Sequence, residues 1–263
     1  MNHLIIENRP EGFFSNFNLI VGSLNHLYDS KIDNFYFHWT NPLYQETPEN
    51  LFDKYFFKQN IEERLKKKSA DSNEIVFDKI HTTVQLGVHF FNFITPIEVY
   101  RKMNAVLRFY NYFDNEIYKS CNAASSKKQN SLGVHVRGTD HSRHGKLLPL
   151  EYYFNKIDQR LNGHYDNLFL ATDENKIVSA FERRYGSRVF TNQEIKRSDN
   201  MQSIHYSNFP SKEKLAIDVM TDAASLANCD EIIITASNVS GYVLMVNPDI
   251  KYEQIDTHIE FIH

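Results

Sequence analysis

The sequence predicts an α/β protein built as two stacked domains, and three observations carry that prediction. A strand, a loop, a helix and a strand follow one another over residues 4–39. Strands and helices alternate again from residue 131 to residue 246, and a polar stretch, Asn122–Asn130, separates the two series. The boundary falls accordingly near residue 125, giving units of 1–125 and 126–263.

In the first series, Leu4-Ile5-Ile6 is a short apolar run closed by Asn8-Arg9-Pro10-Glu11-Gly12, a turn-rich loop, and reads as a buried strand. Phe17, Ile20, Val21, Leu24, Leu27 and Tyr28 recur at helical spacing, with Ser15 expected as the N-cap. Phe35–Trp39 reads as the next strand, the start of a βαβ unit. Residues 49–68 read as a helix ending in Glu62-Glu63-Arg64 and Lys66-Lys67-Lys68. Nearby acids balance that lysine run, which reads as a solvated helix end rather than a nucleic-acid or lipid patch. A second helical stretch, rich in Phe and Tyr, runs from Pro96 to Tyr118.

In the second series, Leu132–Val136 alternates like a strand and residues 149–161 read as a helix behind Pro149. Leu168–Ala171 is a buried strand, Lys176–Tyr185 a helix and Val189-Phe190 a short strand. An amphipathic helix covers 212–228, Ile232–Ile234 is a further buried strand, and a last helix runs from about Val239 to Val246.

Composition narrows the functional classes. The chain has 263 residues, 41% hydrophobic and 24% charged, with formal net charge −4, which describes a globular protein and gives no reason to expect nucleic acid as partner. Only nine residues are glycine, about half the usual share of ~7%, and no G-x-G-x-x-G occurs. The span from Gly138 to Gly145-Lys146 has six intervening residues where a phosphate-binding Walker loop needs four, and Leu147 stands where Ser or Thr would bind magnesium. Cys121 and Cys229 lie far apart without metal-type spacing. The N-terminal residues lack a basic segment and a long apolar run, and no stretch approaches the ~20 apolar residues of a membrane span. A reduced, cytoplasmic protein is expected, with peripheral membrane contact left open.

Ligands of open α/β sheets sit at the carboxyl ends of the strands. Three strands of the second half end in polar residues: Arg137-Gly138-Thr139-Asp140, Thr172-Asp173-Glu174 and Thr235-Ala236-Ser237-Asn238. Arg137 brings a permanent charge and a planar fork suited to phosphate oxygens. Ser237 and Asn238 precede a helix whose unpaired N–H groups and dipole favour an anion. Together they suit a phosphate-bearing ligand without a glycine-rich loop. Each also has a structural role open to it: Ser237 as a helix cap, Arg137 as partner of a carboxylate. Asp222 stands at +7 from Leu215 in a stripe with Val219 and Leu226, so its carboxylate falls on an apolar helix face. Such an acid needs a partner, either a ligand or a protein N–H. His135, His141 and His144 with Asp140 fit no standard zinc spacing and read as a solvated loop; a metal hydrolase is the corresponding outside reading.

In order, the segments Leu132–Asp140, Leu170–Glu174 and Asp222 through Asp230 to Ser237-Asn238 resemble the three motifs of the fucosyltransferase superfamily that includes rhizobial chitooligosaccharide and core α1,6-fucosyltransferases. Pro10-Glu11-Gly12-Phe13, followed by a helix and a strand ending in Trp39, resembles that superfamily's opening, and protein O-fucosyltransferases carry a similar loop. The resemblance is specific over 131–240 and looser over 4–40.

The resemblance implies a GT-B-like fold, two Rossmann-like α/β domains facing a central cleft, with an acceptor-side N-terminal domain and a nucleotide-sugar-binding C-terminal domain. It implies an inverting glycosyltransferase with no obligatory metal or cofactor, moving L-fucose from GDP-fucose to a hydroxyl of an oligosaccharide or glycan acceptor. Arg137 would hold the β-phosphate and neutralise the leaving group. Gly12, Phe13, His135, Thr172 and Asp173 would line the nucleotide crevice, Asp222 would accept hydrogen bonds from guanine or ribose, and Ser237 and Asn238 would bind phosphate. Glu11 matches the base position of some protein O-fucosyltransferases, with Asp140 and His141 as the other base candidates. The sequence departs from its relatives at Gly138, which replaces a second arginine, and near Gly145, where the core α1,6 enzymes carry a glutamate. A catalytically silent GDP-sugar or glycan-binding module with the same fold is the alternative.

Overall fold

The computed structural model describes residues 3–7, 12–29, 34–39, 43–46, 50–56, 74–76, 96–138, 148–200, 204 and 211–256. Two parallel sheets organise the chain. The first holds β1 (His3–Glu7), β2 (Asn34–His38) and β3 (Glu74–Val76) in the order β2-β1-β3. Helix α1 (Phe13–Asp29) makes the crossover from β1 to β2, and α2 (Leu51–Tyr55) follows β2. The second sheet has five strands: β4 (Ser131–Val136), β5 (Asn167–Thr172), β6 (Val189–Phe190), β7 (Glu231–Ile234) and β8 (Lys251–Gln254). Their order is β6-β5-β4-β7-β8, every pair parallel. This is an α/β protein with a doubly wound five-stranded sheet.

Local chemistry sets where the elements begin and end. Helix α1 opens one turn earlier than the sequence pattern predicts: the amides of Ser15 and Asn16 donate to the Gly12 carbonyl at 3.1 and 3.4 Å, so Ser15 lies inside the first turn instead of capping it. Aromatic packing decides this, because Phe13 and Phe14 are drawn into the core. The helix expected over 49–68 appears as α2 alone among its described residues; Asn50 caps it, its side chain accepting from Phe52 N at 3.2 Å and from Trp39 N at 2.9 Å. The remainder of that stretch, 57–68, lies outside the described residues.

The helix expected from Pro96 to Tyr118 is two helices, α3 (Ile97–Phe109) and α4 (Glu116–Ala124), with a 3₁₀ turn at Tyr112–Asp114. Asn111 adopts a left-handed conformation (φ 56°), which asparagine tolerates better than most residues. Asn115 then caps α4, accepting from Ile117 N at 2.8 Å and Tyr118 N at 3.3 Å. The polar stretch 122–130 begins within α4 and is tied down. Asn228 Nδ2 donates to Asn122 Oδ1 and Ser125 Oγ, and Ser126 N to Ser225 Oγ.

The five-stranded sheet is covered on both faces. Leu132, Val134 and Val136 of β4 face α5 (Leu150–Leu161) and α6 (Asn175–Tyr185), in a cluster with Tyr153, Ile157 and Phe181. Alternation along the strand sends Gly133 and His135 the other way, toward α7 (Lys212–Ala227) and α8 (Asn238–Val246). At Gly133 a Cβ would lie 2.9 Å from both Cys229 Sγ and Ile232 Cγ2, so only glycine allows the connection after α7 to approach this closely. One core runs from this second face into the N-terminal half: Phe14 and Phe17 pack against Tyr242, tilted and edge-on, with ring centroids 4.4 and 5.0 Å away. The Tyr112 and Tyr242 hydroxyls meet at 2.9 Å within it, and Asn104 Nδ2 donates to the Met245 carbonyl at 2.7 Å.

Strand β8 was not expected, because Lys251-Tyr-Glu-Gln has no apolar alternation. Ion pairs hold it instead. Arg160 on α5 bridges Glu231 of β7 and Glu253 of β8, and Lys156 Nζ reaches Glu253 at 2.7 Å. Among the described residues no helix is long and apolar enough to cross a membrane.

Candidate functional site

The order of the five strands sets a topological switch point. The chain winds outward from β4 through β5 to β6, then crosses back over β4 to form β7 and β8, so the topology reverses between β4 and β7. At such a switch point the flanking loops diverge and leave a gap beyond the carboxyl ends of the strands. The register pairs Val136 with Thr172 and Val134 with Ile233. Continued past the strand ends, it sets Arg137 level with Asp173 on one side and Ala236 on the other. The three polar strand ends therefore share one sheet edge.

His135, Ser237 and Asn238 come together on the β7 side. The side-chain oxygen of Ser237 caps α8 by accepting from Ser240 N at 3.0 Å, the local role its position before a helix predicts. The His135 ring is 6% exposed, with Nδ1 3.2 Å from Ser240 Oγ and 3.4 Å from Ser237 Oγ. Asn238 opens α8 and is held from the N-terminal half, where Asn18 Nδ2 donates to its carbonyl at 3.0 Å and to its Oδ1 at 3.2 Å. Asn18 is six residues, about 9 Å along the helix axis, from Gly12. The start of α1 is thereby tethered near the start of α8.

On the β5 side, the amide of Gly138 donates to Asp173 Oδ1 at 2.8 Å, binding the residue after Arg137 to the β5 end. A Cβ at Gly138 would lie 2.8 Å from Glu174 Cδ and 2.9 Å from its Cγ. The buried Glu174 side chain, rather than the backbone conformation, occupies the space beside this glycine. Glu174 is 6% exposed, and its Oε1 is buried without a hydrogen-bond partner among the described residues. Burial, reinforced by the adjacent Asp173 carboxylate and opposed by Lys176, raises its pKa.

Asp222 lies in α7, one turn before the core residue Leu226. It accepts from Asn192 Nδ2 at 2.6 Å, and that amide also reaches Ser225 Oγ at 3.0 Å. Burial pushes the Asp222 carboxyl up to about 7, against the pull of the Arg197 guanidinium and the Asn192 hydrogen bond. Arg197 is itself buried and bonded to backbone: Nε donates to Thr172 O at 3.1 Å and both terminal nitrogens to Asn192 O at 3.3 Å. Thr172 and Asp222 are thus joined through Arg197 and Asn192. The carboxylate the sequence places on an apolar face has a protein N–H as its partner.

Two of the expected site residues belong elsewhere or contribute differently. The Phe13 ring is 1% exposed among Trp39 (5.1 Å between centroids) and Tyr55 (4.9 Å), so it builds the core and offers a site only its backbone. Gly12 contributes a carbonyl that starts α1. Glu11, Asp140, His141 and His144 lie outside the described residues. Among the described residues no group of three or more His, Cys, Asp or Glu side chains is placed to hold a metal ion. Arg197, Asn192, Ser240 and Asn18 escaped sequence reading. Ser240 alone had a signal, standing at the N3 distance from the Ser237 cap; the others act from positions whose meaning is purely spatial.

No family model matches the chain, and no curated protein matches its sequence. Solved structures do match. The crystal structure of NodZ α-1,6-fucosyltransferase soaked with GDP-fucose aligns with a TM-score of 0.56 at 17% identity, covering 93% of this chain and 92% of that one. The same enzyme co-crystallised with GDP aligns with a TM-score of 0.55 at 14% identity, over 93% and 92% of the two chains. NodZ from Bradyrhizobium aligns at 0.54 and 14% identity over 98% and 97%. The chain has the fold of these enzymes over nearly its whole length.

Proposed function

We propose that this protein is an inverting, metal-independent glycosyltransferase that moves L-fucose from GDP-fucose to a hydroxyl of an oligosaccharide or glycan. One observation supports the reading: the chain shares the NodZ fold, and its sheet reverses between β4, which Arg137 follows, and β7, which leads to Ser237 and Asn238 at the start of α8. In this reading the two sheets are the two domains of a GT-B arrangement, units 1–125 and 126–263, and the donor lies in the cleft between them.

The reaction forms a bond from the acceptor oxygen to the anomeric carbon as the bond from that carbon to the β-phosphate oxygen breaks. GDP leaves with the electron pair, and a base takes the acceptor proton. Arg137 meets the charge growing on the β-phosphate, which matters more in a crevice than in water. The first N–H groups of α8 add their dipole. His135, Thr172 and Asp173 line the crevice, and Asp222 bounds its nucleoside side. The base comes from the loop that holds Glu11 or the one that holds Asp140 and His141. With phosphate charge met by protein groups, transfer is expected to persist in chelator.

Gly138 favours a second reading, a GDP-sugar-binding module without turnover. Position 138 has no side chain and so supplies no second cation. Donor and acceptor tests separate the two. GDP should raise the melting temperature without divalent ions, and GDP-fucose should stabilise more than GDP-mannose, UDP-sugars or CMP-sugars. Arg137→Ala should weaken GDP binding at least tenfold, about 1.4 kcal/mol or more. Undiminished GDP binding by that variant, or preference for a UDP-sugar, overturns the assignment. Transfer of radiolabelled fucose, lost in Glu11→Gln or Asp140→Asn, rules out the silent module.

A further inference from the structure

We propose that Asn18 of α1 is a positioning residue for Asn238: it keeps the side-chain oxygen of Asn238 turned inward, so that the amide nitrogen is the group Asn238 offers at the start of α8. The proposal rests on the donor-binding reading for the identity of the ligand, though not for the orientation of the amide. That orientation follows from which atoms can donate. Asn18 Nδ2 lies 3.0 Å from the backbone carbonyl of Asn238, which can only accept, so the nitrogen of the Asn18 amide is the atom on that side. The same nitrogen lies 3.2 Å from the Asn238 side chain, and the atom that meets it there is the acceptor Oδ1. Turned over, the Asn238 amide would set N–H against N–H around a side chain that is 0% exposed.

Stability alone does not account for Asn18. Its own Oδ1 is buried and finds no hydrogen-bond donor among the described residues. A buried acceptor left without a partner opposes folding, and a buried amide with one end unmatched is an unusual choice for packing two helices. Where α1 packs on the middle of α8 the contact is aromatic, with Phe14 and Phe17 against Tyr242. The amide stands where α1 meets the first residue of α8, and both of its bonds go to that residue. What it secures is the state of Asn238.

The consequence is chemical. Asn238 is 9% exposed, and with Oδ1 engaged its Nδ2 has no acceptor among the described residues. The rest of the first turn is settled: Ser240 N donates to Ser237 Oγ and Gly241 N to the Ser237 carbonyl, both at 3.0 Å. Nδ2 and the N–H groups of Asn238 and Val239 are then the donors left at the helix end, with Oδ1 turned away from them. Such an end suits a phosphate of the sugar nucleotide, whereas an inverted Asn238 amide would bring an oxygen against phosphate oxygens. Asn18 lies on the helix that begins behind the loop holding Glu11, so the N-terminal half takes part in donor recognition through Asn238.

The test is NMR of the full chain carrying ¹⁵N-labelled asparagine, with the two side-chain amides assigned by their absence in Asn18→Asp and Asn238→Asp. In the ligand-free wild type the Asn18 amide hydrogens should exchange slowly with water and those of Asn238 much faster; the reverse order overturns the inference. Asn18→Asp puts oxygen where the donor nitrogen stood, so Asn238 should turn its own nitrogen inward, exchange more slowly and bind GDP roughly tenfold more weakly. Asn238→Asp keeps the acceptor that Asn18 bonds and replaces Nδ2 by oxygen. It should melt close to the wild type yet also bind GDP roughly tenfold more weakly. A purely structural Asn18 would lower the melting temperature of Asn18→Asp without slowing Asn238 exchange. That result, or GDP binding by Asn238→Asp equal to the wild type, overturns the inference. Failure of GDP to bind the wild type defeats the donor reading alone, since exchange in the ligand-free protein decides the orientation.

Discussion

Asp222 should make the protein less stable as pH rises, and Asp222→Asn should remove that dependence. Its carboxyl is raised from the usual 3.8 to about 7, chiefly by burial. Below pH 3.8 both folded and unfolded chains hold the proton. Between 3.8 and about 7 the unfolded chain releases it while the folded chain keeps it, so stability falls across that window and levels off above it. A rise of roughly three units at about 1.36 kcal/mol each amounts to about 4 kcal/mol of lost stability at pH 8, with the larger part, about 3 kcal/mol, incurred between pH 5 and pH 8. Asparagine keeps the oxygen that accepts from Asn192 Nδ2 at 2.6 Å and carries no charge to desolvate. Urea unfolding of both proteins at pH 5, 6.5 and 8 is the assay. The variant should gain on the wild type by a margin that grows by about 2–3 kcal/mol across the range. A constant margin, or a variant less stable at pH 8 than the wild type, would refute the claim that burial outweighs Arg197 at this carboxylate. Under the proposed function the same substitution should weaken GDP binding, a residue kept for its ligand at a cost in stability.

Gly138→Ala should destabilise by about 1–3 kcal/mol, since its methyl would overlap the Glu174 side chain, and Glu174→Ala in the same chain should recover most of that loss in thermal unfolding. Tyr112→Phe should cost about 1–2 kcal/mol by orphaning the Tyr242 hydroxyl, whereas Tyr112→Phe with Tyr242→Phe should cost clearly less than the sum of the singles in denaturant titration. Ser237→Ala should lose about 1 kcal/mol through the α8 cap, measurable by urea unfolding. Arg160→Met should free the β8 edge from Glu231 and Glu253, read as faster amide exchange across 251–254 with little change in the β4 amides.

The second half was the more legible, because its central strands β4, β5 and β7 are buried and read as short apolar or alternating runs bounded by polar residues. Leu132–Val136, Leu168–Ala171 and Ile232–Ile234 all appear as strands within one or two residues of their expected ends. Reading failed where side-chain hydrogen bonds or ions replace apolar periodicity. Asn111 and Asn115 break one aromatic-rich helix into two, and Arg160 with Lys156 builds a strand from Lys251-Tyr-Glu-Gln. At the site, the strand-end residues were visible because β4, β5 and β7 each stop in polar sequence. Arg197 and Asn192 were not, since they act from an irregular loop whose only regularity is the carbonyls it meets.

The sequence by itself determined the alternation of strand and helix, the three polar strand ends and the acid on an apolar helix face, all set by residues near one another along the chain. Tertiary structure decided how those ends combine. The return of the chain over β4 brought the carboxyl ends of β4, β5 and β7 to one edge of the sheet, and set the Glu174 side chain against position 138. It also decided what Asp222 is bonded to and which hydroxyls lie against His135. Those depend on partners 30 and 105 residues away, and a hydrogen bond is fixed by distance in space, of which periodicity along the chain holds no record.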